Sequence, residues 1–276
     1  MPSPLKLTTV VPSGQLGLDV RAFQLLSTAE PARVAVLDFG GADVSLPLSF
    51  GDPVMVGGAQ PTAVPSAALV GPRTRSVWLR FEGEIDQVNV SFFPGAAAAF
   101  AGLPMTELVD RIAPPDDLWP HHFREAIAEL APLPRPERTS RLSALLLANL
   151  EPYGDPDPQV YEAVRLIQAS GGRVRIRRLA ERVNLSVSQL ERRFRQRVGL
   201  GPKRLARQTR AGSLAAAAMT TCTPDWARLA QEHGYADQAH LAREFRDLMG
   251  LTPGRFASFA SDADFLQDAL AGPPSD

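Results

Sequence analysis

The sequence predicts an α+β chain: a small β-barrel or sandwich with helices in the first half, then an all-helical second half holding two helix-turn-helix units. Three observations carry this. Short runs rich in β-branched and aromatic residues, punctuated by Gly, Pro and Asp, occupy the chain to about residue 93. From Pro94 onward the apolar spacing is helical. A segment of about thirty residues near the C-terminus is repeated.

In the first half, "RVAVLDF", "DPVMVGGA", "SVWLRF" and "DQVNVSFF" read as strands. "PGAAAAFAGLP" reads as a short helix over 94–101, started by Pro94 and ended by Gly102. "MTELVDRI", "LWPHHFREAIAEL" and "ERTSRLSALLLANL" continue with helical spacing. These segments make residues 1–150 one domain, β-rich and then helical. "EPYGDPDP", with three prolines and a glycine, places a linker at 151–157. Helices are expected near 158–170, 176–183, 187–198, 202–218, 225–233, 237–249 and 253–260, in a domain spanning 158–260, with a tail over 261–276.

A net charge of −1 conceals an asymmetry. Between Arg173 and Arg255 there are 17 Lys and Arg against 7 Asp and Glu, while the rest holds 12 and 23. A basic third on an acidic remainder points to a polyanion as partner of the former. One cysteine, Cys222, excludes an internal disulfide and a cysteine-built zinc site. No apolar run is long enough to span a bilayer, and the N-terminus lacks a signal-peptide layout. The expectation is a soluble cytoplasmic protein without a membrane partner.

The repeat is the most specific signal. "RLAERVNLSVSQLERRFRQRVGLGPKRLA" starts at Arg178 and "RLAQEHGYADQAHLAREFRDLMGLTPGRFA" at Arg228. Leu179, Ala180, Leu190, Arg192, Phe194, Gly199, Leu200 and Pro202 recur as Leu229, Ala230, Leu241, Arg243, Phe245, Gly250, Leu251 and Pro253. Each copy is a short helix, a tight turn and a second helix. Ala180 and Ala230 are small where helices cross. Asn184 and Gly234 suit a turn needing positive φ. Ser186 and Asp237 suit the cap of the second helix.

These two copies, their separation and the closing "GLTPGRF" resemble the DNA-binding domain of the AraC/XylS family of bacterial transcription regulators, over about residues 158–260. The segment from "GPRTRSVWLRF" to "MTELVD" is also similar to the sensor half of a subgroup of these regulators. The connecting "RAGSLAAAAM" departs from the family pattern, which usually has more leucine and charge there. The resemblance implies double-stranded promoter DNA as partner. RNA polymerase, a small-molecule effector and a second copy of the chain come with it as further candidate partners. It also implies a cupin-like β domain in front.

In such a domain the second helix of each copy enters the major groove. Leu190, Phe194 and Val198 then form the buried stripe of 187–198, and Ser188, Arg192 and Arg195 face outward, flanked by Gln189 and Glu191. Arg192 is the best base reader, because a guanidinium bonds guanine O6 and N7 together. Ser188 could meet a base or a phosphate. Glu191 could accept from a cytosine or pair with Arg195. In the second copy the counterparts are Gln238, Ala239, Ala242, Arg243 and Arg246. With two alanines, this copy should specify less sequence. His240 is either a phosphate contact or a packed imidazole. Arg207 is expected on the phosphate backbone.

The effector side is less legible. Trp78, Phe81 and Phe92 are candidate pocket walls, with plain core as the alternative. The β segment contains no histidine, and His121 and His122 project about 100° apart on a helix, so no metal or other cofactor is expected. No G-x-S-x-G, phosphate-cradling Gly-rich loop or H-E-x-x-H is present, which argues against an enzyme. The first half therefore either binds an effector or serves dimerisation or protein docking.

Overall fold

A computed structural model describes residues 5–38, 41–57, 61–114, 118, 121–149, 157–220 and 223–261. The first half runs through β1 (Leu5–Val10), α1 (Leu16–Asp19), β2 (Val20–Thr28), β3 (Ala32–Asp38), β4 (Ser45–Ser49) and β5 (Val54–Val56). There follow β6 (Thr62–Ala63), β7 (Leu69–Val70), β8 (Val77–Gly83), β9 (Asp86–Phe92), α2 (Ala97–Ala101) and a 3-10 turn at Met105–Glu107. β10 (Ile112–Ala113), α3 (His121–Ala128) and α4 (Arg135–Asn149) complete it. The strands pair antiparallel in two open sheets, ordered β1-β2-β9-β4-β7-β10 and β3-β8-β5-β6. The expected barrel or sandwich is therefore an open two-sheet arrangement.

The larger sheet carries its main apolar core on its outer face. Phe23, Leu46, Val88, Val90 and Phe92 pack there beneath helical residues including Phe100, Phe123, Leu142 and Leu146. Burial of these side chains supplies the driving force for docking α2 to α4 on the sheet. β8 and β9 look like the arms of a hairpin in sequence but lie in different sheets. The chain turns the corner at Gly83, whose φ of 100° suits glycine, and a Cβ there would collide with the Asp52 carboxylate. That carboxylate also accepts a 2.8 Å bond from the Glu84 amide.

Two helical expectations need correction. The helix expected at 94–101 begins at Ala97, although Gly102 does end it with φ of 69°. "MTELVDRI" is not a helix: after the 3-10 turn, Asp110 takes φ of 57° and Ile112 and Ala113 pair with Val70 and Leu69. The helical spacing there comes from burying Met105 and Leu108 with only a turn of helix between them.

The second half consists of α5 (Pro158–Ala169), α6 (Ile176–Arg182), α7 (Val187–Val198), α8 (Pro202–Ala218), α9 (Trp226–Glu232), α10 (Gln238–Met249) and α11 (Pro253–Ser261). These match the seven expected helices within two residues. Of the expected linker, 151–156 lie outside the described residues, as do Cys222 and the tail beyond 261. Asp157 is described and caps α5 by accepting from the Val160 amide.

Two apolar cores, one per helix-turn-helix unit, are joined by α8. Leu179, Ala180, Leu190, Phe194 and Val198 belong to the first, and Leu229, Ala230, Leu241, Phe245 and Leu248 to the second. Gly172 turns the chain from α5 toward α6 with φ of 76°, pressed against the carbonyl of Ala206 on α8. Gly171 also has positive φ, at 59°, but its missing Cβ faces open space up to 4.0 Å away. Gly171→Ala should therefore cost only the left-handed backbone penalty, about 1 kcal/mol. Gly172→Ala should cost at least about 2 kcal/mol more, because α8 must move. Urea unfolding of both variants measures the difference.

Candidate nucleic-acid interface

In each unit the turn is built as its residues require. Asn184 and Gly234 have φ of 55° and 75°. Ser186 accepts from the Gln189 amide while the Gln189 side chain accepts from the Ser186 amide, a capping box opening α7. Asp237 accepts from the His240 amide at 2.6 Å and opens α10. Ala180 and Ala230 are 1% and 2% exposed, so the helix crossings leave no room for a larger side chain.

The buried stripe of α7 is Leu190, Phe194 and Val198 as expected, and Leu241, Phe245, Leu248 and Met249 face inward on α10. On the opposite side, Ser188, Gln189, Arg192 and Arg195 of α7 and Gln238, Ala239, Arg243 and Arg246 of α10 are exposed. Arg192, Arg243 and Arg246 form no ion pair among the described residues. Glu191 is half-buried and lies 3.3 Å from Arg195, so the two are paired one turn apart. His240 packs edge-on to Tyr235, with ring centres 5.4 Å apart, and its Nδ1 accepts from the Ala236 amide. The half-buried ring is thus packed against its own unit. Gln189 spends its side-chain oxygen on the cap, leaving its amide NH2 group as donor.

Arg207 departs from expectation. Its guanidinium donates to Glu244 and Asp247 of α10, both at 2.8 Å, and so turns away from any phosphate. Arg210 donates to the same Glu244 carboxylate at 2.6 Å. Both arginines sit on the connecting helix, and helical spacing alone cannot distinguish this inward pairing from an outward phosphate contact. Burial by itself would raise the Glu244 carboxyl, but bonds from Arg210 and Arg207 outweigh it and hold it below the usual carboxylate range.

A second brace was not anticipated. Arg193 of α7 donates bidentately to the Asp157 cap, at 2.8 and 2.6 Å, and to Gln159 Oε1 at 2.6 Å. Gln159 in turn donates to the Val183 carbonyl in the turn of the first unit. The signal available in the sequence was one arginine between two outward ones, next to a proline-rich segment.

The β domain reaches the helical half through a short strap, residues 71–76. The Arg73 carbonyl accepts from Gln208 of α8 at 2.7 Å, and the Thr74 carbonyl accepts from Arg204. Ser76 bonds the end of α10, its amide donating to the Leu248 carbonyl and its hydroxyl to that of Met249. Asp110, in its left-handed turn, holds the strap by accepting from the Thr74 amide and hydroxyl, both at 2.7 Å. The 3-10 turn also packs on α7, and Gly199 sits against Pro72 and Val109.

Between the two sheets lies a cavity of about 430 Å³, within the usual range for small-molecule sites. Phe81 lines it as expected. Phe92 does not: it is fully buried in the outer core, stacked on Phe100 at 5.2 Å. Strand alternation puts Trp78 on the face opposite the lining residues Leu79 and Phe81, outside the cavity wall.

Residues 179–258 match a family model described as a helix-turn-helix domain, and residues 8–114 one described as a domain of unknown function (DUF6597). No curated protein sequence matches the chain. Among solved structures, the chain is similar to ToxT from Vibrio cholerae O395, with 12% identity, a TM-score of 0.48, and 87% of this chain and 98% of that one covered. A transcriptional regulator with an AraC-type DNA-binding domain from Chromobacterium violaceum shows 22% identity and a TM-score of 0.36, covering 38% of this chain and 95% of that one. The C-terminal domain of AraT, a response regulator from Geobacillus stearothermophilus, shows 24% identity and a TM-score of 0.36, covering 40% and 91%.

Because Glu244 has a depressed folded-state value, its contribution to stability is present above the unfolded carboxylate range and disappears as pH falls through the folded value. Glu244→Gln should leave a domain less stable at pH 7, with a shallower loss of stability between about pH 5 and 3. Urea midpoints across that range check both features.

Proposed function

We propose that this chain, a member of the AraC/XylS family of transcription regulators, binds a promoter through α7 and α10 and senses a small molecule through its β domain. The family is one of DNA-binding regulators, not enzymes. The observation that carries the reading is the pairing of two exposed, guanidinium-bearing helix faces with an inward ion-pair network that holds them at one relative setting.

Arg192, Ser188 and the amide of Gln189 read bases in the first major-groove segment. In the second, Arg243 and Arg246 hold phosphates, while Gln238 and Ala239 contribute the little base contact there. No helix among the described residues is long and apolar enough to cross a membrane, in keeping with action in the cytoplasm. Occupancy of the inter-sheet cavity is passed on through the strap, since Arg73 lines the cavity with its side chain while its carbonyl holds Gln208 of the connecting helix. A dimerising role for the β domain has its own support in Leu7 and Val10, 57% and 39% exposed on edge strand β1, and Val11, 73% exposed beyond it.

Fluorescence anisotropy with a duplex from upstream of the protein's own gene, against a scrambled duplex, tests the DNA reading at about 50 and 200 mM salt. With about six phosphates neutralised, affinity should fall by roughly three powers of ten across that interval, and the preference should persist. Arg192→Ala should cost about 1–3 kcal/mol and relax preference at one base position, whereas Arg246→Ala should weaken all duplexes alike. An unchanged specificity ratio in Arg192→Ala would remove α7 as the reading helix.

A further inference from the structure

The walls of the inter-sheet cavity are chemically unlike each other. The smaller sheet presents Val36, Val54, Val56, Leu79 and Phe81. The larger sheet, whose other face is already covered by helices, presents Gln24, Ser45, Gln87, Asn89 and Ser91 beside Leu7, Leu26, Pro47 and Val70. A sandwich interior built only for stability would be apolar on both inner faces. Here one inner face carries five uncharged amides and hydroxyls among its apolar side chains.

Two groups on this wall are left wanting partners. Asn89 donates to Gln24 Oε1 at 2.9 Å, and its own Oδ1 is buried with no hydrogen-bond partner. Arg73, 8% exposed, makes no side-chain hydrogen bond among the described residues; the carboxylate nearest it, Asp38, is 3.8 Å away. An unsatisfied buried acceptor costs stability unless something completes it, and a guanidinium held by one ion pair at 3.8 Å keeps donors to spare. The charges around the rim argue against a charged completion. Arg73 and Arg21 are offset by Asp38, Asp43 and Asp110, with Arg21 bonded to Asp43 at 2.6 Å. A further carboxylate would face this acidic majority, and a cation would face Arg73.

Resting on the effector reading above, we propose that the cavity takes an uncharged amphipathic small molecule, its apolar side on β3, β5 and β8. Its polar head donates to Asn89 Oδ1 and accepts from Arg73. A primary amide or an alcohol has this chemistry; a fatty carboxylate or an alkylammonium does not.

Octanamide, octanoate and octylamine share one apolar chain and differ in head charge, so calorimetric titration of the full-length protein at pH 7.5 separates the cases. Octanamide should bind at least about ten-fold more tightly than either charged analogue, the difference expected for one well-placed hydrogen bond. Asn89→Leu should lose that advantage, and Asn89→Asp, closest in shape, should move the preference to octylamine. The wild-type comparison stands even where a variant fails to fold. Tightest binding of octanoate, or of octylamine, would overturn the head assignment and leave the effector reading in place. Binding of none of the three would remove the cavity as a site for such ligands, while the anisotropy assay still judged DNA binding separately.

Discussion

The carboxylate of Glu244 lies almost buried in the second helix-turn-helix unit, with two guanidinium groups from the connecting helix closed around it. A charge in that position is tolerable only while its partners remain, because an unpaired buried carboxylate costs far more than the pair contributes. The contact is therefore strict about geometry: α8 and α10 must hold one setting, and Asp247 extends the same grip to Arg207. Since α8 also packs against α5 and α7, the distance between the two reading helices follows from this cluster. On the proposed DNA-binding function, α7 and α10 need such a constraint to meet successive groove segments about 34 Å apart, or to bend the DNA between them.

The same logic turns much of the positive charge of the helical half inward. Arg193, Arg204, Arg207 and Arg210 are all spent on Asp157, on the strap or on Glu244 and Asp247. Arginine suits this work because its planar fork bonds two acceptors at once. What remains outward on the two reading helices is a smaller set centred on Arg192, Arg243 and Arg246. The basic composition of this third thus has two components, an internal lattice and an external footprint, which net charge cannot separate.

The β domain contributes a cavity and a handle. Its helices cover the outer face of the larger sheet, which frees the inner face to carry amides and hydroxyls among its apolar side chains. The strap at 71–76 touches the cavity, the connecting helix and the end of α10 in six residues. A backbone segment bonded on both sides has few independent ways to move.

Wherever local chemistry decides, the residues alone specify the outcome. The helices of the second half, the positive φ of Asn184 and Gly234 and the caps at Ser186 and Asp237 depend on neighbours within a few positions, and these were legible. So was the helix-turn-helix duplication, because its repeat is periodic and local. The strands β1, β2 and β4, the split of β8 and β9 between sheets, and the turn at Asp110 depend on partners tens of residues away, which composition does not name. The inward pairing of Arg207 and the outer-core place of Phe92 belong to the same class: an arginine or a phenylalanine carries its chemistry in its identity, but which group stands opposite is set only when the chain packs.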